Sequence, residues 1–180
     1  SSAAAMGFCF LNNVAVGAAE ALAREGIERV AILDFDVHHG NGTENIFLDD
    51  DRVLLCQTYQ HPYYPFTGEP SSLDHIINAP LAAASGTLEF RDAIETLWVP
   101  AIENFSPQVI FISAGFDARA GDPLGGLQLV DADFHWVTAL IVDLAATHAD
   151  GRVVSCLEGG YDLETLGASA AAHVRALARL

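Results

Sequence analysis

Positive charge is scarce in this 180-residue sequence: eight Lys and Arg stand against 24 Asp and Glu, a formal net charge of −16. Such a chain repels phosphate backbones, so nucleic acid is not an expected partner, whereas a cationic substrate or a basic peptide would be drawn in. Cysteine is scarcer still. Cys9, Cys56 and Cys156 are odd in number, scattered and set in apolar sequence, without zinc-finger spacing, so they read as reduced core residues and not as a disulfide framework. No apolar run is long enough to span a bilayer, and no signal peptide is visible, so no membrane partner is expected and the cytoplasm is the default location. Internal repeats, low-complexity tracts and Pro/Ser-rich linkers are also missing. What remains is a chain with 51% hydrophobic and 18% charged residues, enough to build a core, read as a single domain over residues 1–180.

Apolar β-prone segments alternate with stretches of helical spacing. An amphipathic helix is expected over residues 13–24, ending at Gly26, with strands near 29–33 and 52–57. An irregular stretch over 61–86 carries a short strand at 75–78. Thr87 is expected to cap a helix reaching about Asn104, whose stripe is Phe90, Ile94, Leu97, Ala101 and Ile102. A strand at 109–113, a helix at 131–147, a strand at 153–157 and a final helix over 163–180 complete the pattern. Strands separated by helices imply an α/β fold, a three-layer sandwich of a mostly parallel sheet with helices on both faces.

The run Asp34-Phe-Asp-Val-His-His-Gly-Asn-Gly-Thr43 follows the apolar segment Val30-Ala-Ile-Leu33, so Asp36 and His38 lie just past a buried strand's C-terminal end. Open α/β sheets bind their ligands there. Being two apart in extended backbone, Asp36 and His38 point to the same side, with Asp34 one step deeper. His39 points the opposite way and is expected to pack or bond to backbone. A third ligand is offered by Asp117, after the strand Val109-Ile-Phe-Ile-Ser113. A third strand, Val153-Val-Ser-Cys-Leu157, runs into Glu158-Gly-Gly-Tyr-Asp162, where two glycines permit close approach and Tyr161 offers a hydroxyl. Two carboxylates and one neutral imidazole leave zinc, or another divalent ion, an open position, as catalytic sites do. Taken alone, Asp36 with His38 reads equally well as a turn carboxylate beside a surface histidine. Asp122, in Gly-Asp-Pro, reads as a turn cap. His61, His75, His135, His148 and His173 have no paired ligand and read as structural or surface residues.

In order and approximate spacing, Gly7-Phe-Cys-Phe-Leu-Asn-Asn13, the Asp34–Thr43 run, Tyr64-Pro-Phe-Thr-Gly68, the segment 113–126 and Leu157-Glu-Gly-Gly-Tyr-Asp162 resemble the zinc-dependent histone deacetylase superfamily. The likeness is to its bacterial class II-like branch, with acetoin-utilisation and acetylpolyamine amidohydrolase relatives. It implies an arginase/deacetylase-like fold, zinc ligation by Asp36, His38 and Asp117, and an oxyanion donor in Tyr161. Phe8 and Tyr64 would wall an acyl-lysine tunnel, and Gly7 would offer its carbonyl to the substrate amide. Asp34 would hold a catalytic histidine and contribute to a buried potassium site. Asn41 stands where class I members carry aspartate. Gln57 stands where the family has a small hydroxyl ligand for the potassium ion.

The family's paired catalytic histidines precede the Gly-Phe-Cys motif, and the sequence begins at Ser1, after their place. The resemblance therefore implies a domain truncated at its N-terminus. The expected function is removal of acetyl or other acyl groups from lysine peptides or small acetylated amines, impaired for want of the general base. A non-catalytic metal-binding remnant or interaction domain is the alternative. Self-association into a homo-oligomer is expected to cover apolar surface left bare by the missing strands.

Overall fold

The computed structural model describes residues 4–180. Its centre is strand β1 (Val30–Asp34), every residue of which is buried. Parallel to it run β2 (Val53–Gln60) on one side and β4 (Val109–Ala114) on the other, with β3 (Ile76–Leu81) beyond β2 and β5 (Val153–Leu157) beyond β4. Among the described residues the sheet is thus five-stranded and wholly parallel. β1, β2 and β4 are buried on both faces, which is why β1, β4 and the first half of β2 read as apolar runs with no polar alternation, while Gln57, Thr58 and Gln60 of β2 are buried polar residues.

Alternate residues of these strands feed two cores. Val30, Ile32, Val53, Leu55, Val109 and Phe111 pack under α1 (Asn13–Leu22) and Phe47 of α2 (Asn41–Phe47). Ala31, Leu33, Leu54, Cys56, Ile110 and Ile112 face the opposite layer. That layer holds α3 (Thr87–Ala93), a π-helical segment (Ile94–Trp98), α4 (Val99–Phe105), α5 (Asp131–His148) and, packed largely on α5, α6 (Leu166–Leu177). Helices therefore cover both faces, as the alternation of segments implies. No described helix is long and apolar enough to cross a membrane.

Local chemistry sets the element ends. Asn12 caps α1 by accepting the Ala15 amide at 2.8 Å. Buried Asp133 accepts from Val130 N–H at the start of α5, from the Thr87 hydroxyl and from the Arg91 guanidinium, so one carboxylate joins α3 to α5.

Several elements depart from expectation. The Gly-Asn-Gly segment opens α2 and is not merely a turn, with Gly40 as its N-cap. Thr87 is the first residue of α3, not its cap; Gly86 is the N-cap and donates its N–H to Glu89. β2 and β3 run on to Gln60 and Leu81, and α6 is shorter than the expected 163–180. Trp98, not Leu97, turns to the sheet, because the i→i+5 bonds of a π turn take more residues per turn than an α-helix and rotate the buried stripe. All three cysteines are free, but Cys9 is exposed and Cys156 half-buried, so only Cys56 is a core residue.

The two edges of the sheet differ. β3 carries Pro80, which cannot donate to a further strand. Among the described residues β5 pairs with β4 alone, and it carries neither proline nor charge.

Candidate metal centre

Every strand of the parallel sheet ends at the same face, and the loops leaving β1 and β4 there bring Asp36, His38 and Asp117 together. Asp34, the last residue of β1, turns its carboxylate up to accept the Asp36 amide at 3.0 Å. Asp36 Oδ1 accepts the His38 amide at 2.8 Å and lies 3.0 Å from His38 Nδ1, while Asp36 Oδ2 accepts the Gly159 amide at 2.9 Å. Asp117, fully buried, spends Oδ1 on the Val37 amide at 2.9 Å. Its Oδ2 lies 3.3 Å from His38 Nδ1, without the alignment of a hydrogen bond, and is otherwise without a partner.

One ligand atom from each of the three residues falls within 4.8 Å of the others. Donor atoms around a tetrahedral zinc stand about 3.4 Å apart, given bonds of about 2.0–2.2 Å. The 3.0 and 3.3 Å separations between His38 Nδ1 and the carboxylates suit such an ion. So does a buried carboxylate oxygen left unbonded, which is costly without a cation. Glycines make the convergence possible. A β-carbon at Gly159 would overlap Asp117 Oδ2 and fall 2.7 Å from Asp36 Oδ2, and one at Gly115 would overlap the Asp36 carboxylate.

The electrostatics point the same way. Burial would lower the His38 imidazole, but the Asp117 and Asp36 carboxylates close beside its ring, with their charges, outweigh it and push the ring up to about 10. Burial first and the Asp36 charge second push Asp117 up to about 7. Burial, then the charges of Asp36 and Glu158, raise Asp34 well above the usual carboxylate range. Carboxylates held this close and this dry retain protons unless a cation replaces them. Tyr161 is pushed up to about 12 by burial and then by Asp117 and Asp36, which keeps its hydroxyl a proton donor.

The expected wall residues lie around this group. The Tyr64 ring stands edge-on to His38 at 5.9 Å, and the exposed Phe8 ring edge-on to Tyr161 at 6.2 Å. Gly7 and Phe8 both take positive φ in a turn closed by the Cys9 amide on the Met6 carbonyl. Tyr63, which sequence reasoning passed over, stacks on His38 at 5.7 Å and 24°. Its only signal was adjacency to Tyr64. Glu158 accepts the Ser113 hydroxyl at 3.1 Å beneath the site and was likewise passed over.

His39 is turned away from the ligands as expected, but its partners are side chains and not backbone. Nδ1 meets Thr67 Oγ1 at 2.8 Å and Nε2 meets Glu44 Oε2 at 2.9 Å. Burial would raise Glu44, yet the bonds from His39 and Asn78 hold it below its ordinary value. Gln57 completes the network: its Oε1 accepts the Gly40 amide and its Nε2 donates to Glu44 and Asn78. Its amide is thus committed to joining α2, β2 and β3, which gives the potassium reading no support. Asp122 does cap a turn, by accepting the Leu124 amide, but it also reaches the Tyr161 loop. His75 and His135 meet backbone carbonyls, and His173 meets Thr138 and Ser155.

Residues 1–177 match the family model described as Histone deacetylase domain. The chain is 42% identical over 177 residues to "Histone deacetylase 10, chloroplastic" of Oryza sativa subsp. japonica, covering 95% of this chain and 40% of that protein. It is 43% identical over 164 residues to "Histone deacetylase-like amidohydrolase" of Pseudomonas aeruginosa, covering 87% of this chain and 43% of that protein. Among solved structures it is similar to the HDA15 HD domain, with a TM-score of 0.89 at 38% identity over 96% of this chain and 51% of that one. The chain therefore spans 40–43% of the length of these two curated relatives.

Proposed function

The chain belongs to the histone deacetylase family, and on that premise we propose that Asp36, His38 and Asp117 hold a divalent zinc ion at the centre of an amidohydrolase site for acylated lysine or small acylated amines. The observation that carries this reading is the unbonded, buried Oδ2 of Asp117, set beside His38 Nδ1 and the Asp36 carboxylate. When bound, zinc supplies Lewis-acid polarisation of the acyl carbonyl and acidifies water. The chain's own residues do the rest. Asp34 and the Gly159 amide orient Asp36. Tyr161, kept protonated, donates to the oxyanion as the carbonyl becomes tetrahedral. Phe8 and Tyr64 flank an acyl-lysine stem, and the Gly7 carbonyl accepts from its amide.

The proton acceptor is the role to which we assign no described residue. His39 is bound in its network, His173 lies between α5, α6 and β5, and His75 and His135 bond backbone elsewhere. General-base catalysis contributes about 10²–10⁴-fold, so the chain by itself is expected to turn over substrate very slowly. Basic peptides would be favoured by the charge of −16. Self-association through exposed apolar surface is part of the same reading.

The test has two arms. Zinc content of the wild-type chain is expected near one ion per chain and near none for Asp117→Ala; equal content would remove Asp117 from the site. Hydrolysis of a fluorogenic acetyl-lysine peptide is expected to be weak for the chain and strong once it is extended N-terminally by a family segment bearing the paired histidines. Tyr161→Phe in that form should cost about 10²–10³-fold in kcat. Full activity in the unextended chain would make a resident group the base, Asp34 first. A zinc-loaded but inert extended form would favour the non-catalytic remnant.

A further inference from the structure

The loop after β4 carries Asp117 and the loop after β5 carries Tyr161, and one buried carboxylate, that of Asp122, reaches from the first to the second. Its two oxygens have separate duties. Oδ1 accepts the Leu124 amide at 2.8 Å and shapes its own turn. Oδ2 reaches across to accept the Tyr161 amide at 2.7 Å and the Asp162 amide at 3.2 Å, 39 and 40 residues away. A turn cap alone would need only the first.

The Tyr161 segment has few other anchors. Gly159 and Gly160 precede it without side chains, and Gly160 sits at φ 137°, where L side chains rarely go. Gly159 is tied on both sides, its amide to Asp36 and its carbonyl to the Phe116 amide. Beyond it, the chain turns toward α6 through Asp162, whose carboxylate serves Glu164 and Thr165 and not the metal loop. Between these points the backbone that aims the tyrosine ring is held to the Asp117 loop by Asp122. Bonds to an ionised carboxylate are shorter and about twice as strong as neutral ones.

We propose that Asp122 is a positioning residue for Tyr161, setting the place of its hydroxyl over the Asp36–His38–Asp117 group by fixing the amides of residues 161 and 162 to the metal-bearing loop. This rests on the reading of Tyr161 as the oxyanion donor. Both oxygens of the carboxylate accept from N–H groups. An amide in its place would keep one acceptor and turn an NH2 against donors.

Amide hydrogen exchange read residue by residue tests the docking. In the wild-type chain the amides of Tyr161 and Asp162 should be protected; in Asp122→Ala their exchange should quicken about tenfold or more, with zinc content unchanged. Asp122→Asn, which keeps the volume and one acceptor, should lie between and serves if the alanine variant does not fold. In the N-terminally extended chain kcat should fall with little change in KM, by no more than the about 10²–10³-fold of a lost oxyanion donor. Adding Asp122→Asn to Tyr161→Phe should then cost little more. Unchanged exchange at residues 161 and 162 would overturn the proposal, as would a kcat loss fully additive with Tyr161→Phe. An inert extended wild type would instead overturn the amidohydrolase reading, leaving exchange to decide the docking.

Discussion

At the scale of single residues the site is made as much by missing side chains as by present ones. Gly159→Ala would drive a methyl group into the Asp117 carboxylate, so we expect zinc affinity to fall about 100-fold or more while the far-ultraviolet dichroism stays unchanged. Gly167→Ala is the natural control: a β-carbon there meets nothing within 4 Å on α6, and the variant should bind zinc normally and unfold at slightly higher denaturant, by up to about 1 kcal/mol. Competition with a chelating dye reads both, and an undisturbed affinity in Gly159→Ala would mean that the carboxylates have room to shift. That Asp36 and His38 share one side was legible because two-residue spacing past a strand end places side chains there whatever the distant contacts are. The roles of Tyr63, Glu158 and the second oxygen of Asp122 were not. Each depends on a neighbour far along the chain, Ser113 for Glu158 and the 161–162 amides for Asp122, and no local pattern encodes such a pairing.

At the scale of elements, α5, α6 and β5 meet at one imidazole. Thr138 Oγ1 donates to the Phe134 carbonyl, so it accepts from His173 Nδ1–H, and Nε2 is left to accept from the Ser155 hydroxyl. The ring is also walled by Phe35 and Phe116. Burial lowers its pKa from 6.5 to about 4, so the unfolded chain binds the proton first as pH falls. The stabilisation from keeping His173 neutral is therefore complete above about pH 6.5 and is lost as pH falls toward 4. Urea midpoints measured at several pH values should decline across that window more steeply for the wild type than for His173→Asn, and parallel declines would remove the imidazole from the account. Most elements were legible from period alone: β1, β4 and the first half of β2 as apolar runs, α5 as a long stretch between polar ends. The exceptions have physical causes. α2 begins inside Gly-Asn-Gly, whose intrinsic preference is a turn, and it is held by Phe47 under the sheet and by Glu44 in the His39–Gln57 network. The π turn that brings Trp98 to the core answers to packing against the sheet and leaves no mark in a stripe reckoned at constant pitch.

At the scale of the whole molecule, a parallel sheet gathers every strand's C-terminal end at one face. Two acidic loop positions and a histidine can therefore come from distant stretches and still meet. The layered architecture was readable from the alternation of segments; the order of strands was not, since nothing in the sequence of β5 says that it lies beside β4 and beyond β1. That placement has a consequence for handling the protein. Val153-Val-Ser-Cys-Leu157 is a short, uncharged, β-branched window at an open border of the sheet, with Val154 45% exposed and Leu157 66% exposed. Segments of this composition template cross-β stacking when nothing covers them. Added salt screens the mutual repulsion of molecules carrying −16 charges, so clouding should appear with rising ionic strength and not with falling. A lysine at this border is the usual gatekeeper. Val154→Lys should keep the chain monomeric in sedimentation at concentrations and salt where the wild type sediments faster, and indistinguishable profiles would place the sticky surface elsewhere. In the vocabulary of formulation, the border strand and not the face that carries Asp36, His38 and Asp117 would then set the shelf life of the molecule.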